Sequence, residues 1–201
     1  GLFLPQANGS LDPVRTTWTA VQEAAVAAKV NAAMTWIQAQ SPESQLTFVW
    51  DIHLGAPCDY EPILHPGLDS WIWVDNVVQK FGHSNIRAYN NSLRISLNTD
   101  WAFSVFVAND QGYPASGGRF PDGYFAFAYL GGPYQVMTYS NAGWGISEMD
   151  TVCAHETGHN FWTLDEYPGG SSPTRRSGYF NAINGNAISG GVIDDPKCVM
   201  R

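Results

Sequence analysis

The clearest helical pattern lies near the start of the chain. Trp18, Val21, Ala25, Ala32 and Trp36 recur at three-to-four spacing, with Val26, Val30, Ala33 and Ile37 beside them. This is the period of a helix with a wide apolar face. Asp12-Pro13 supplies an N-cap residue followed by proline at the first helical position, where its missing N–H costs nothing. The pattern predicts a helix over 13–39, ended by the Pro42-Glu43-Ser44 stretch, with Trp18 and Trp36 on its core face. LTFVWDIHL (46–54) then reads as a buried strand, and Gly55-Ala56-Pro57 as its breaker.

Helical periodicity returns over 69–78 and, after a break near Gly82, over 85–97. WAFSVFVA (101–108), YFAFAYL (124–130) and YQVMTYS (134–140) read as strands. Pro133, ahead of the last, marks 134–140 as an edge strand. The 109–123 segment is a Gly- and Pro-rich loop. Ser147 with Asp150 three residues on resembles a capping box, which predicts a helix carrying the next dozen residues. The 168–196 segment is loop-like. The order implies an α+β (α/β layer) fold: one domain over 1–201, divided into an N-terminal helix or arm (1–44), a sheet-and-helix part (45–162) and a loop-rich C-terminal part (163–201).

The helix after Ser147 carries Cys153-Ala154-His155-Glu156-Thr157-Gly158-His159, followed by Asn160-Phe161-Trp162-Thr163-Leu164-Asp165-Glu166-Tyr167. One helical turn separates His155 from His159, so both imidazoles project from one face and can reach one ion. Glu156 points beside that ion, where a water would lie. This is the HExxH spacing of zinc hydrolases, with the Glu as general base. With five His in 201 residues, its chance occurrence is on the order of 0.003 per chain. An ordinary helix with satisfied histidines and a non-catalytic metal site are the bland alternatives.

Catalytic zinc takes three protein ligands and keeps one open position. Asp165, six residues after His159, completes the set if the chain turns back. Glu166, Asp194 and Asp195 are the rival carboxylates.

HExxH followed by an acidic ligand six positions on, with Cys198-Val199-Met200 looking like a Met-turn, resembles the metzincin zinc peptidases. The Asp-Glu-Tyr tail is most similar to bacterial secreted metallopeptidases of the IgA-peptidase-like kind. The resemblance implies a mixed sheet with an antiparallel edge strand just before the active helix. It also implies zinc held by His155, His159 and Asp165, with Glu156 as catalytic base, in a secreted endopeptidase. Metal-assisted hydrolysis would then proceed on a peptide held along the edge strand 134–140, with Tyr167 or Tyr179 as oxyanion donors. The sequence departs from the family in two places. Trp162 stands where metzincins have a glycine, and the chain stops at Arg201, where they continue into a further helix, as if truncated, cleaved or completed elsewhere.

Composition narrows the alternatives. The net charge is −8 with 10 Lys plus Arg, which argues against affinity built on neutralising phosphates, and so against nucleic acid or anionic membrane surfaces as partners. Protein or peptide substrate and a monomer are the expectation. Charged residues are only 14%, while aromatics reach 13%, a balance that suits secretion. No uncharged apolar run is long enough to span a bilayer. The start at Gly1, without Met or signal peptide, looks like a mature or trimmed product.

Three cysteines cannot all pair within the chain. A Cys153–Cys198 bond, or a Cys58 thiolate blocking zinc in a latent form, is weighed against plain buried or loop thiols. His53, His65 and His83 are isolated and read as core or surface residues. Oxygens of Asn109, Asp110 and Asp122 are candidates for Ca2+, although their spacing is not that of an EF-hand and plain turns explain them. A rival from another class is a non-catalytic module that binds protein or glycan through an aromatic face around a structural metal.

Overall fold

A computed structural model describes residues 1–40, 42–187 and 198–200. Among them are a five-stranded, mostly parallel sheet, four α-helices and a small antiparallel hairpin, so the fold is α+β as expected. The sheet order is β2 (Ile52–Cys58), β1 (Leu2–Ala7), β3 (Ser104–Ala108), β5 (Tyr134–Thr138) and β4 (Ala126–Ala128). Only β4 runs antiparallel to its neighbour.

Successive strand residues point to opposite faces, and the core divides accordingly. Phe3, Phe106, Ala108, Tyr134 and Val136 pack under α2 (Trp71–Lys80) and α3 (Ile86–Ser96). Leu2, Leu4, Val105, Val107 and Met137 pack under α1 (Ala20–Gln40) and α4 (Met149–Asn160). With both faces covered, β3 and β5 are buried at every position, which is why both read as largely apolar, although β5 also buries the polar Gln135 and Thr138.

Four expectations are corrected. The 1–44 segment is more than a helix and arm, because it contributes the inner strand β1. Pro5 interrupts the Leu2-Phe3-Leu4 run; having no N–H to give a ladder, it sits where the register with β2 shifts, and pairing with β3 extends only over Leu2 and Phe3.

The second strand begins at Ile52, and Gly55-Ala56-Pro57 continues it. Gly55 takes φ 56 in the shifted stretch, and Pro57 is tolerated because β2 is the sheet edge.

The first helix starts at Ala20, not Pro13. Thr19 and Gln22 form the reciprocal cap, with Gln22 N donating to Thr19 Oγ1 at 3.3 Å and Thr19 N to Gln22 Oε1 at 2.9 Å. Asp12 instead accepts from Glu61 N. Only the Val26, Val30, Ala33, Met34 side is buried. Val21 is 80% exposed and Trp36 faces solvent, while Trp18 reaches the core from ahead of the helix, its Nε1 on Pro5 O at 2.8 Å.

Finally, the edge strand is β4. Tyr134–Thr138 lies inside the sheet, paired parallel to β3 and antiparallel to β4, and Pro133 belongs to the turn before it.

The other predicted helices and strands fall within a few residues of expectation. Asn85 caps α3 through Ala88 N at 3.0 Å. The 168–196 segment contains a short hairpin, β6 (Arg176–Ser177) with β7 (Ala182–Ile183). No described helix is long and apolar enough to cross a membrane.

Candidate metal centre

Side chains on one flank of α4 fasten it to the sheet, and this aims the other flank. Gln135, wholly buried on β5, accepts from Thr157 Oγ1 at 3.2 Å and donates Nε2 to Cys153 O at 3.4 Å. Asn160 donates to Tyr129 O at 3.1 Å, and Gly131 N donates to His159 O at 2.8 Å. Cys153, Thr157 and Asn160 therefore face β5. His155, Glu156 and His159 line a cleft of about 610 Å³ between α4, the β4 edge and the chain beyond the helix. The helix does not start on the expected capping box: no side chain caps it, and Asp150 pairs with Lys29 on α1 at 3.1 Å.

The helix ends in a reversal that delivers the third carboxylate. Thr163 N bonds to Gly158 O at 3.0 Å and Trp162 N to His159 O at 2.9 Å, the pair of bonds of a Schellman ending. Its left-handed residue is Trp162, at φ 74. A tryptophan thus takes the conformation that glycine adopts without penalty, at a cost of about 1–2 kcal/mol. Its indole is laid against Gly131, where a Cβ would come within 2.3 Å of the ring.

Beyond this turn, Asp165 Oδ1 stands 3.3 Å from His155 Nε2 and 3.3 Å from His159 Nε2. The imidazoles are nearly perpendicular, 4.8 Å between centroids. Each ring is held by its other nitrogen, His155 Nδ1 on Val199 O at 2.8 Å and His159 Nδ1 on Thr163 O at 2.9 Å. Both Nε2 atoms therefore present lone pairs to the same point.

This set fits a metal ion. Ligands about 2.0–2.1 Å from a tetrahedral zinc lie about 3.3–3.4 Å apart, the spacing that Asp165 Oδ1 keeps to each imidazole. Asp165 Oδ1 and Glu156 Oε2 are buried without a hydrogen-bond partner, as expected of atoms whose partner is an ion or a water. Among the described residues, His155, His159 and Asp165 form the one group of three such side chains able to hold a metal ion, their ligand atoms within 4.8 Å of one another.

Electrostatics follow from the same packing. Burial pushes the Glu156 carboxyl up to about 7, against the pull of His155 and His159. Burial would also raise Asp165, but the two imidazoles outweigh it and hold its carboxyl far below the ordinary range. Both histidines are raised: desolvation opposes the charged form, and Asp165 overcomes it.

The remaining candidates sort by position. Glu166 accepts from the Cys198 thiol at 3.1 Å, so Cys198 is engaged there while Cys153 lies buried beside Gln135. Asp194 and Asp195 lie outside the described residues. Tyr167 lines the cleft, its ring stacked 6.3 Å from that of His155. Tyr179, 92% exposed on the β6–β7 turn, does not line it. Cys58 is buried on β2 in the core beneath α2, its thiol on Trp73 O at 3.9 Å and raised by burial to about 12, and it does not line the cleft, so it is not placed to block a metal there. His53 bonds Asp51 and Tyr89, and His65 bonds Asp12. Asp110 and Asp122, the calcium candidates, are engaged by backbone amides: Asp122 accepts locally from Tyr124 N, as a turn-forming side chain does, and the two also tie the loop to distant segments by accepting from Ser140 N and Leu68 N.

Sequence reasoning missed three supports. Gly158 lets Met200 approach the helix, since a Cβ would come within 2.7 Å of its sulfur. Gly131 and Gln135 set the helix on the sheet. A small residue inside the motif hints at the first; nothing local marks the others. Comparison with family models, with curated proteins and with solved structures finds no match for the chain.

Proposed function

We propose that the chain is a zinc-dependent endopeptidase that hydrolyses peptide bonds with an activated water. The observation that carries this reading is the convergence of two imidazole nitrogens on one Asp165 oxygen, each at 3.3 Å, beside a buried Glu156 oxygen with no partner. His155 and His159 would hold the ion through Nε2 and Asp165 through Oδ1. When bound, zinc supplies a Lewis acid and brings the pKa of water to about 7.

The chain's own groups do the rest. Glu156 Oε2 takes the proton of the attacking water and later passes it to the leaving nitrogen. The Tyr167 hydroxyl donates to the carbonyl oxygen as it gains charge. The β4 edge positions the peptide. Phe125, Phe127 and Tyr129 direct their backbone groups to β5, so by alternation the N–H and C=O of Ala126 and Ala128 face the cleft, where an extended chain can add as a further strand. The low charge and polar Gly, Asn and Ser surface of the sequence favour a secreted protein.

The test is Glu156→Gln in the zinc-loaded chain. Hydrolysis of an unfolded protein should fall about 10²–10⁴-fold while zinc stays near one per chain. If the zinc-loaded wild type cleaves no unfolded protein and the variant binds proteins or glycans as the wild type does, the non-catalytic module is the correct reading.

A further inference from the structure

We infer that the cleft is built for peptides bearing an acidic side chain near the cleaved bond, and that Arg119 reads it. That the bound peptide is a substrate rests on the peptidase reading; the recognition does not.

The chain as a whole is acidic, with 18 Asp plus Glu against 10 Lys plus Arg. Its cleft is different. Among the described residues, the carboxylates lining it, Glu156 and Asp165, are both turned to the metal centre, whereas Arg119 enters from the loop ahead of β4 and Arg175 from the segment between Asp165 and β6. Among the described residues, the ion pairs engage Lys29, Lys80 and histidines, and neither of these arginines. Two guanidinium groups in a partly enclosed cleft focus positive potential where a peptide lies.

Arg119 is also preorganised. Its Nη1 donates to Gly123 O at 2.8 Å, and its guanidinium stands 5.5 Å over the Phe125 ring. The flanking backbone is pinned: Gly118 O accepts from Thr138 Oγ1 at 2.7 Å and from Ala142 N at 3.0 Å, and Phe120 is 2% exposed in the core. One of its five donors is engaged by Gly123 O, leaving the others to pair with a substrate carboxylate. Trp144, 61% exposed and tilted against Phe125, offers an apolar wall to the stem of that side chain at the same end of the cleft.

The experiment uses fluorescein-labelled ten-residue peptides with Glu scanned on either side of one bond, each against its Gln twin. Zinc-loaded wild type should cleave the best Glu peptide at least about 10-fold faster, by kcat/KM, than its twin, as a charge-assisted contact implies. Arg119→Gln should bring that ratio to within about twofold of one, Arg119→Lys should keep part of it, and Arg119→Glu should reverse it toward Lys peptides. Equal cleavage of Glu and Gln peptides by wild type, or a ratio that survives Arg119→Gln, overturns the inference. Anisotropy on zinc-loaded Glu156→Gln, with and without Arg119→Gln, gives the same ratio in binding. If nothing is cleaved but the binding ratio appears and depends on Arg119, hydrolysis falls and acidic recognition stands. If cleavage proceeds without preference, the converse holds.

Discussion

Gly131→Ala tests how the helix end presents Asp165. Gly131 turns the chain after β4 at φ 81, donates to His159 O at 2.8 Å and faces the Trp162 indole so closely that a Cβ would come within 2.3 Å of two ring atoms. An alanine there meets two penalties. The left-handed backbone costs about 1–2 kcal/mol, and overpacking against a ring seated in a tight turn costs about 1–3 kcal/mol. The sum is about 2–5 kcal/mol, which for a chain of this size lowers Tm by about 4–20 °C. Urea titration of the metal-free chain, followed by tryptophan fluorescence, gives the free energies for wild type, Gly131→Ala, Trp162→Ala and the double variant. The steric penalty needs the indole, so the cycle should return a coupling of about 1–3 kcal/mol, with the backbone penalty persisting in the double variant. A Gly131→Ala variant within about 0.5 kcal/mol of wild type, or a coupling below that size, refutes the reasoning.

The other expectations concern the metal and charge. His159→Ala and Asp165→Asn should each lower bound zinc well below one per chain by elemental analysis after dialysis, whereas Glu166→Gln, whose carboxylate faces Cys198 at 3.1 Å, should retain it. Equal losses in all three would remove Asp165 as ligand. Zinc at about 1,000 times its Kd should stabilise the folded chain by about 4 kcal/mol, raising Tm by about 8–16 °C. A thermal scan unaffected by chelator contradicts this. Asp59 accepts from Lys80, Asn76 and Asn8, which hold its carboxyl down at about 2. A depressed carboxylate contributes stability above its unfolded value near 3.9 and loses it as pH falls through about 2. The urea-midpoint gap between wild type and Asp59→Asn should therefore be constant above about pH 4.5 and shrink below pH 4; a gap that grows on acidification excludes this cause.

Much of the architecture is legible in the sequence because its signals are local. The α2 and α3 periodicity and the largely apolar runs of β3 and β5 each carry their meaning within a few residues. What escapes depends on contacts distant in sequence. β1 is a short apolar run crossed by Pro5, and its strand character comes from pairing with Ile52–Cys58 and with β3, about 50 and 100 residues away. Pro133 points to an edge strand because proline disfavours inner strands, yet it lies in the turn, where its carbonyl accepts from Ser104 N at 3.1 Å and no N–H is required of it. On α1 two adjacent apolar rows are visible, and only docking on the sheet and α4 decides that Val26, Val30 and Ala33 are buried while Val21 is not. At the site, the histidine spacing and the Asp165 offset are readable. The groups that orient the imidazoles, Val199 O and Thr163 O, are backbone carbonyls and leave no side-chain signature.

Those carbonyls explain why a segment far from the motif belongs to the site. Val199 O fixes the His155 ring, Met200 O accepts from Glu166 N at 2.8 Å, and the Met200 sulfur lies against the helix where Gly158 has no side chain, receiving a 3.5 Å contact from Thr163 Oγ1. Thr163 in turn holds His159, and Asp165 follows two residues later. One imidazole is thus oriented by the 198–200 segment and the other by the reversal that segment packs against. The geometry of the three ligand atoms is a property of that packing as well as of helical periodicity. A bare HExxH helix would place two histidines on one face. The left-handed Trp162, the side chain missing at Gly158 and the buried Met200 convert that face into a three-point donor set with a cleft in front of it.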